Sequence, residues 1–80
     1  MWNDRLRIVE SVAPQWKALN DSERETVRKA FETIDEDPII GAPLFDPLRG
    51  YWSFLTDALR IIYRIVAEAR IVVILSITRR

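Results

Sequence analysis

The sequence contains neither cysteine nor histidine in its 80 residues. Without cysteine the chain can form no disulfide and no thiolate metal site, and without histidine it lacks the commonest metal ligand and the commonest general base. Zinc hydrolases and enzymes with a Ser-His-Asp triad are therefore excluded. We expect neither a metal ion nor another cofactor.

Long apolar stretches are missing as well. The longest runs from Ile71 to Leu75, whereas a membrane-spanning helix needs roughly 20 apolar residues. Residues 1–5 lead directly into an alternating pattern, unlike the basic and then apolar run of a secretory signal. We therefore expect a cytoplasmic protein without membrane contact. A chain of 80 residues is long enough for one small domain, which we place at residues 1–80.

The net charge of zero conceals a difference between the two halves of the chain. Residues 1–40 carry six basic and nine acidic side chains, a net charge of −3, whereas residues 41–80 carry six arginines and three acidic side chains, a net charge of +3. Arginine suits planar, bidentate contacts with phosphate or carboxylate groups. A neutral chain lacks the overall basic charge expected of a nucleic-acid-binding domain, so charge alone leaves open whether these arginines bind a ligand or only solvate the surface.

Alternating apolar and polar residues predict a first strand from Arg5 to Val12. The strand should stop near Pro14, which lacks an N–H group and fits the first turn of a helix. A short helix is predicted from Gln15 to Leu19. A second helix should follow, because Ser22 and Glu25 have the spacing of a capping box. This helix has an apolar stripe at i, i+3, i+4 and i+7, formed by Val27, Ala30, Phe31 and Ile34.

The second half of the chain predicts a loop and then a sheet. Residues 38–50 contain three of the four prolines and both glycines, which is typical of a loop. Its apolar side chains are expected to pack onto the core: Ile39, Ile40, Leu44 and Phe45. Three strands are then predicted at Tyr51 to Leu55, Leu59 to Val66 and Arg70 to Thr78, joined by short turns. The last strand is so rich in β-branched residues that both of its faces should be covered.

This order of elements predicts an α+β fold. A strand is followed by a helical hairpin and then by a three-stranded antiparallel meander, with the helices packed on one face of the sheet. Among the aromatic residues, Trp52 and Phe54 are expected to belong to the core rather than to stack on bases. Tyr63 is expected to pack internally or to make a structural hydrogen bond.

Three segments of the C-terminal half resemble a known family. Leu48-Arg49-Gly50 opens a strand, residues 59–65 (LRIIYRI) match a hairpin strand in which an arginine precedes two apolar residues and a tyrosine, and residues 74–80 (ILSITRR) close the sheet. In these segments the chain resembles the RelE/ParE toxin superfamily, whose bacterial members are encoded beside a neutralising antitoxin. The resemblance implies the fold derived above and an antitoxin protein as partner.

Members of this superfamily that cleave messenger RNA on the ribosome carry basic residues on the exposed face of the sheet. RNA cleavage requires deprotonation of the 2′-hydroxyl, neutralisation of the developing charge and protonation of the leaving oxygen. The resemblance implies catalytic roles for Arg60 and Arg80 and RNA-binding roles for Arg49 and Arg79. The aromatic or histidine that the cleaving members place after the last arginine would lie beyond Arg80. The family's basic positions on the preceding strand fall on uncharged residues: Tyr51, Ser53 and Leu55.

Each of these arginines also has a structural interpretation. Arg60 could pair with Asp57 or Glu68 across the hairpin. Arg49 could cap the loop, and Arg79 and Arg80 could form a solvated chain end. The residue types alone do not separate these interpretations from the functional ones.

Three functions remain open within the resemblance. The first is a translation-blocking toxin that cleaves mRNA on the ribosome, with Arg60 and Arg80 holding the phosphate. The second is a non-nuclease toxin of the ParE branch, which would act on DNA gyrase. The third is a catalytically degenerate module that retains only antitoxin binding. We favour the first as the working hypothesis, and the uncharged side chains of the preceding strand are the feature that argues against it.

Overall fold

The computed structural model describes residues 5–80 and confirms the predicted order of one strand, two helices and a C-terminal run of strands. The elements in chain order are β1 (Leu6–Ile8), α1 (Val12–Lys17), α2 (Asp21–Glu36), a 3-10 turn (Pro38–Ile40), β2 (Ala42–Pro43), β3 (Tyr51–Leu55), β4 (Leu59–Val66), a second 3-10 turn (Ala67–Ala69) and β5 (Ile71–Arg79). None of the helices within residues 5–80 is long and apolar enough to cross a membrane.

The strands form one five-stranded sheet in the order β1-β5-β4-β3-β2. β1 runs parallel to β5, and every other neighbouring pair is antiparallel. The two-residue strand β2 was not predicted; it pairs Ala42 with Ser53 and Pro43 with Trp52 at the edge of the sheet. The predicted α+β class, with the helices on one face of the sheet, is confirmed.

The first strand is shorter than predicted, because it ends at Ile8 and the chain turns before Val12. The N–H of Val12 donates to the carbonyl of Val9 at 3.1 Å, which starts the turn. Val12 is 2% exposed: it reaches the core from the first turn of α1 instead of from a strand. α1 therefore spans Val12–Lys17 rather than the predicted residues 15–19, and Pro14 lies within its first turn.

The capping box of α2 is formed by Asn20 and Glu23, not by Ser22 and Glu25 as predicted. The Asn20 Oδ1 accepts the Glu23 N–H at 2.8 Å, and the Glu23 Oε1 accepts the Asn20 N–H at 2.9 Å. Both pairs have the same spacing, and Asn is as good a cap as Ser, so the sequence pattern could not choose between them. The predicted apolar stripe is confirmed, since all four of its side chains are buried.

The core lies between the helices and one face of the sheet. Its buried apolar residues within the described chain are Val12, Leu19, Val27, Ala30, Phe31, Ile34, Leu59, Ile61, Tyr63, Val72, Ile74 and Ile77. Trp52 and Phe54 pack against this cluster, as predicted. The prediction that the last strand is covered on both faces is wrong: Val73, for example, is only half-buried. The helices cover only the other face of that strand.

The prediction that apolar residues of the loop before β3 pack onto the core is wrong for three of the four, while Leu44 is half-buried. Ile39 is 67% exposed, Ile40 47% and Phe45 84%. The space beneath the loop is already occupied by Tyr63, whose ring stacks on Trp52 with 6.3 Å between the ring centroids. The loop is held by its backbone instead: the Tyr63 hydroxyl donates to the Pro38 carbonyl at 2.6 Å and accepts the Gly41 N–H at 3.2 Å. The structural interpretation of Tyr63 is confirmed.

Candidate functional site

The sheet has a second face, turned away from the helices, which we call the outer face. Side chains alternate between the two faces of a strand, so the buried residues Leu59, Ile61 and Tyr63 place Arg60, Ile62 and Arg64 of β4 outside. The sheet register extends this face across the neighbouring strands. The outer face comprises Arg7, Tyr51, Ser53, Leu55, Arg60, Ile62, Arg64, Val66, Ile71, Val73, Ser76 and Thr78.

A bulge in β5 brings the chain end onto the outer face. Ile62 pairs with Ser76 but Tyr63 pairs with Ile74, which leaves Leu75 as the extra residue. Arg60 then lies opposite Thr78. Arg80 lies two residues after Thr78, so it faces the same side of the sheet as Thr78 and Arg60. Its N–H donates to the Ala58 carbonyl at 2.9 Å.

The outer face therefore brings together Arg60 and Arg80, the two residues predicted to be catalytic. Diagonal neighbours on antiparallel strands have Cα atoms about 7–8 Å apart, within reach of two arginine side chains. The Arg80 Nη1 donates to the Thr56 carbonyl at 2.6 Å, which anchors this side chain to the β3–β4 turn. The structure thus joins the two positions to which the family resemblance pointed.

The charge on this face has one sign. The five described strands contain no Asp or Glu, and the outer face carries Arg7, Arg60, Arg64 and, at its end, Arg80. The side chains of Arg60 and Arg64 form no hydrogen bond or ion pair with another residue of the described chain. The ion pair between Arg60 and Asp57 or Glu68 that the structural interpretation required is thus not formed within residues 5–80.

Arg79, predicted to bind RNA, points to the opposite side of the sheet. Its strand partner is the buried Leu59. The Arg79 Nη2 donates to the Glu23 Oε1 at 2.9 Å and to the Ala18 carbonyl at 3.3 Å. Hydrogen bonding to the Asn20 N–H, with a further contribution from Arg79, lowers the pKa of the Glu23 carboxyl. Arg79 therefore ties the last strand to the helical layer, away from Arg60 and Arg80.

Arg49, the other residue predicted to bind RNA, lies in the loop before β3. Its Nε is 3.6 Å from Asp46 Oδ1, and the two side chains are 85% and 78% exposed. An ion pair this exposed contributes little to stability. Tyr51 follows Arg49 at the start of β3 and pairs with Arg64, whereas Arg60 pairs with Leu55 at the far end of the hairpin. Arg49 and the Arg60–Arg80 pair therefore lie at opposite ends of the sheet.

Arg64 and Tyr51 were not predicted to be site residues. Both lie on the outer face directly opposite each other, and Arg64 is exposed. The sequence did contain a signal for Arg64, because Arg60 and Arg64 are four residues apart on one strand and must therefore share a face. The resemblance directed attention to Arg60 instead, since Arg64 matches none of the family positions considered.

A groove on the helical side is the second feature of the surface. It has a volume of about 500 Å³ and lies between β1, α1 and α2. Apolar side chains dominate its lining, among them Ile8, which is 50% exposed. Lys17 and Arg28 line it as well, and the Arg28 guanidinium lies 5.3 Å from the centre of the Trp16 ring. The groove thus combines an apolar floor with two basic groups and one acidic group, Glu10.

Comparison with known proteins assigns the family. The family model for the ParE toxin of the type II toxin–antitoxin system parDE matches residues 2–80. The chain belongs to the ParE toxin family. No curated protein matches the sequence.

Solved structures support the same fold for this ParE-family toxin. A chain of the RelBE2 toxin–antitoxin complex from Mycobacterium tuberculosis is 26% identical, with a TM-score of 0.87 and coverage of 94% of this chain and 95% of that chain. A chain of the intact Escherichia coli RelBE complex is 21% identical, with a TM-score of 0.80 and 94% coverage of both. The YoeB/ParE toxin from Agrobacterium tumefaciens is 19% identical, with a TM-score of 0.79 and coverage of 95% and 98%. The resemblance to the RelE/ParE superfamily is therefore confirmed.

Proposed function

We propose that this toxin blocks translation by cleaving mRNA on the ribosome, with Arg60 and Arg80 holding the scissile phosphate. The observation that carries the proposal is the position of these two arginines side by side on a sheet face whose described strands contain no acidic residue. Two guanidinium groups can neutralise the charge that develops on the phosphate oxygens when the 2′-hydroxyl attacks. The Arg60 guanidinium is available for this contact because it makes no hydrogen bond or ion pair within the described chain.

A reconstituted translation reaction tests this proposal. The toxin is added with a defined mRNA, and the new RNA ends are mapped by primer extension. We expect cleavage at the codon in the ribosomal A site, and its loss in both Arg60→Ala and Arg80→Ala. Lys29→Ala is the matched control, because it removes one exposed positive charge from α2, on the helical side of the sheet. Intact mRNA with wild-type toxin, under conditions where translation stops, would contradict cleavage.

A non-nuclease toxin acting on DNA gyrase is the second candidate. It is favoured by the outer face of β3, where Tyr51, Ser53 and Leu55 carry no charge. The resemblance places basic residues of the mRNA-cleaving members at these three positions. Inhibition of supercoiling by purified gyrase is the corresponding assay. Inhibition in this assay together with intact mRNA in the translation reaction would assign the toxin to this branch.

We further propose a cognate antitoxin as the partner. The M. tuberculosis and E. coli relatives were solved as toxin–antitoxin complexes. We expect an acidic, amphipathic antitoxin segment to lie across the apolar and basic surface between the helical hairpin and the sheet. The groove with Lys17 and Arg28 offers such a surface, and a peptide that orders on binding is a common mode of recognition. The product of the neighbouring gene should co-purify with the toxin. If that product did not bind the toxin at micromolar concentration, the proposed partner would be contradicted.

A further inference from the structure

We infer that Tyr51 and Arg64 form a second nucleotide subsite on the outer face, in which Tyr51 stacks on a base of single-stranded RNA and Arg64 binds a phosphate of the same strand. The inference rests on the proposed function in one respect: it assumes that RNA lies along the outer face. It assigns a role to Arg64, which matches none of the family positions considered, and a stacking role to Tyr51, where the resemblance expects a basic residue.

The backbone places the two side chains close together. Tyr51 uses both of its backbone groups on the side away from β4: its carbonyl accepts the Leu44 N–H at 2.9 Å and its N–H donates to the Leu48 carbonyl at 3.1 Å. Tyr51 and Arg64 are therefore a non-hydrogen-bonded pair of the antiparallel ladder, the type in which facing Cα atoms are only about 4.5 Å apart. An aromatic ring and a guanidinium thus stand next to each other on one face.

Neither side chain makes a polar contact within the described residues. The Arg64 side chain is exposed and makes no hydrogen bond or ion pair within the described residues. The Tyr51 hydroxyl makes no hydrogen bond to the described chain. The contrast with Tyr63 is direct, since the Tyr63 hydroxyl bridges Pro38 and Gly41. An aromatic ring beside an unpaired guanidinium combines the two groups that bind single strands, a stacking platform and a phosphate contact.

The distance between Arg60 and Arg64 indicates that Arg64 binds a different phosphate from the scissile one. Arg60 and Arg64 are four residues apart on β4, which corresponds to roughly 13 Å along an extended strand. One nucleotide step of a stacked strand advances only about 3.4 Å. The two arginines therefore suit phosphates several nucleotides apart on one RNA strand. The surface between them is formed by Ser53 and Ile62, which face each other and carry no charge.

The test is direct binding of a labelled single-stranded RNA oligonucleotide to the full-length toxin, followed by fluorescence anisotropy. Tyr51→Leu keeps a bulky side chain but removes the ring, and it should weaken binding about tenfold or more. Tyr51→Phe keeps the ring and should bind like wild type. Arg64→Gln should lower the slope of log Kd against log salt by about 0.7, the value expected for one phosphate contact with a single strand. Lys29→Gln, on α2, should leave both quantities unchanged.

An abasic oligonucleotide of the same length isolates the stacking contact. Wild type and Tyr51→Leu should bind this ligand equally, because no base is left to stack. Thermal melting of each variant establishes that it is folded. Equal binding of the base-containing RNA by wild type and Tyr51→Leu would overturn the inference, and so would an unchanged salt slope in Arg64→Gln. Tighter binding of the matching DNA than of the RNA would also overturn it.

The inference and the proposed function can fail separately. RNA binding that depends on Tyr51 and Arg64, without cleavage in the translation reaction, would leave the subsite standing and remove the nuclease. Cleavage that is unaffected by Tyr51→Leu and Arg64→Gln, with unchanged RNA binding, would leave the nuclease standing and remove the subsite.

Discussion

The two faces of the sheet differ in how their polar groups are satisfied. On the helical face, the Tyr63 hydroxyl is fully buried and makes two hydrogen bonds, and Arg79 is paired with Glu23. On the outer face, the Arg60 and Arg64 side chains make no hydrogen bond or ion pair within residues 5–80. Both faces are built from the same strands, so the difference is not one of local backbone structure. Alternate residues of β4 stabilise the fold, and those between them are left available for a ligand.

This division implies that stability and toxicity should respond to different substitutions on the same strands. Side-chain changes on the helical face should unfold the protein, because buried groups lose packing or hydrogen bonds. Changes on the outer face should leave the fold intact and alter binding. The predictions below test that separation, in order of decreasing effect on the free energy of unfolding.

Phe31→Ala should have the largest effect, about 3–5 kcal/mol of lost unfolding free energy, the usual cost for a buried aromatic side chain. Phe31 is 2% exposed and lies in the apolar stripe of α2. Chemical denaturation measures the loss. Leu55→Ala is the matched control on the outer face, where the side chain is 47% exposed, and it should cost much less. Equal losses in the two variants would contradict the distinction between the faces.

Tyr63→Phe should destabilise the protein by roughly 1–3 kcal/mol, because it leaves the Gly41 N–H and the Pro38 carbonyl without their partner. Burial raises the pKa of the Tyr63 hydroxyl, so the group remains a neutral donor at physiological pH. Tyr51→Phe removes the same atom from the outer face and should leave the unfolding midpoint unchanged. If Tyr63→Phe unfolded with the same free energy as wild type, the loop would have to be held by other contacts.

Glu23 should make a smaller, pH-dependent contribution. Its pKa is lowered from the ordinary value of 4.5 by the Asn20 N–H and then by Arg79. The folded state therefore favours the carboxylate, so this stabilisation is fully present above about pH 4.5 and is lost as the pH falls through the lower folded pKa. Glu23→Gln, which can still complete the capping box, should flatten the dependence of the melting temperature on pH in this acidic range.

The exposed Glu32→Gln on the same helix serves as the control and should melt with the wild-type pH profile. If Glu23→Gln also kept that profile, the contacts with Asn20 and Arg79 would have no role in acid stability.

The elements that sequence reasoning identified correctly were those with a long periodic pattern. α2 has four buried residues at helical spacing, and β4 alternates buried and exposed residues. β2 could not be found, because a two-residue edge strand containing Pro43 has no period to recognise. The exposed loop was misjudged because apolar composition does not tell whether a side chain can reach the core. Here Tyr63 had already filled that space.

The site was predictable only in part, and again for a physical reason. The resemblance identified Arg60 and Arg80, but only the bulge at Leu75 shows that the two share a face. A bulge shifts the alternation by one residue, so the face of Arg79 and Arg80 could not be read by counting from Ile71. Arg79 was assigned to RNA binding because the resemblance places it beside Arg80, whereas the structure pairs it with Glu23.

The most direct test of the central claim is the double variant Arg60→Ala, Arg80→Ala, compared with wild type in growth arrest and in thermal melting. Both side chains lie on the outer face, and the one side-chain hydrogen bond that is lost, from Arg80 to the Thr56 carbonyl, is exposed to solvent, so the double variant should lose only about 1 kcal/mol of stability. We predict a melting temperature close to that of wild type together with complete loss of growth arrest on induction. Full toxicity in a stably folded double variant would contradict the assignment of the outer face as the functional surface.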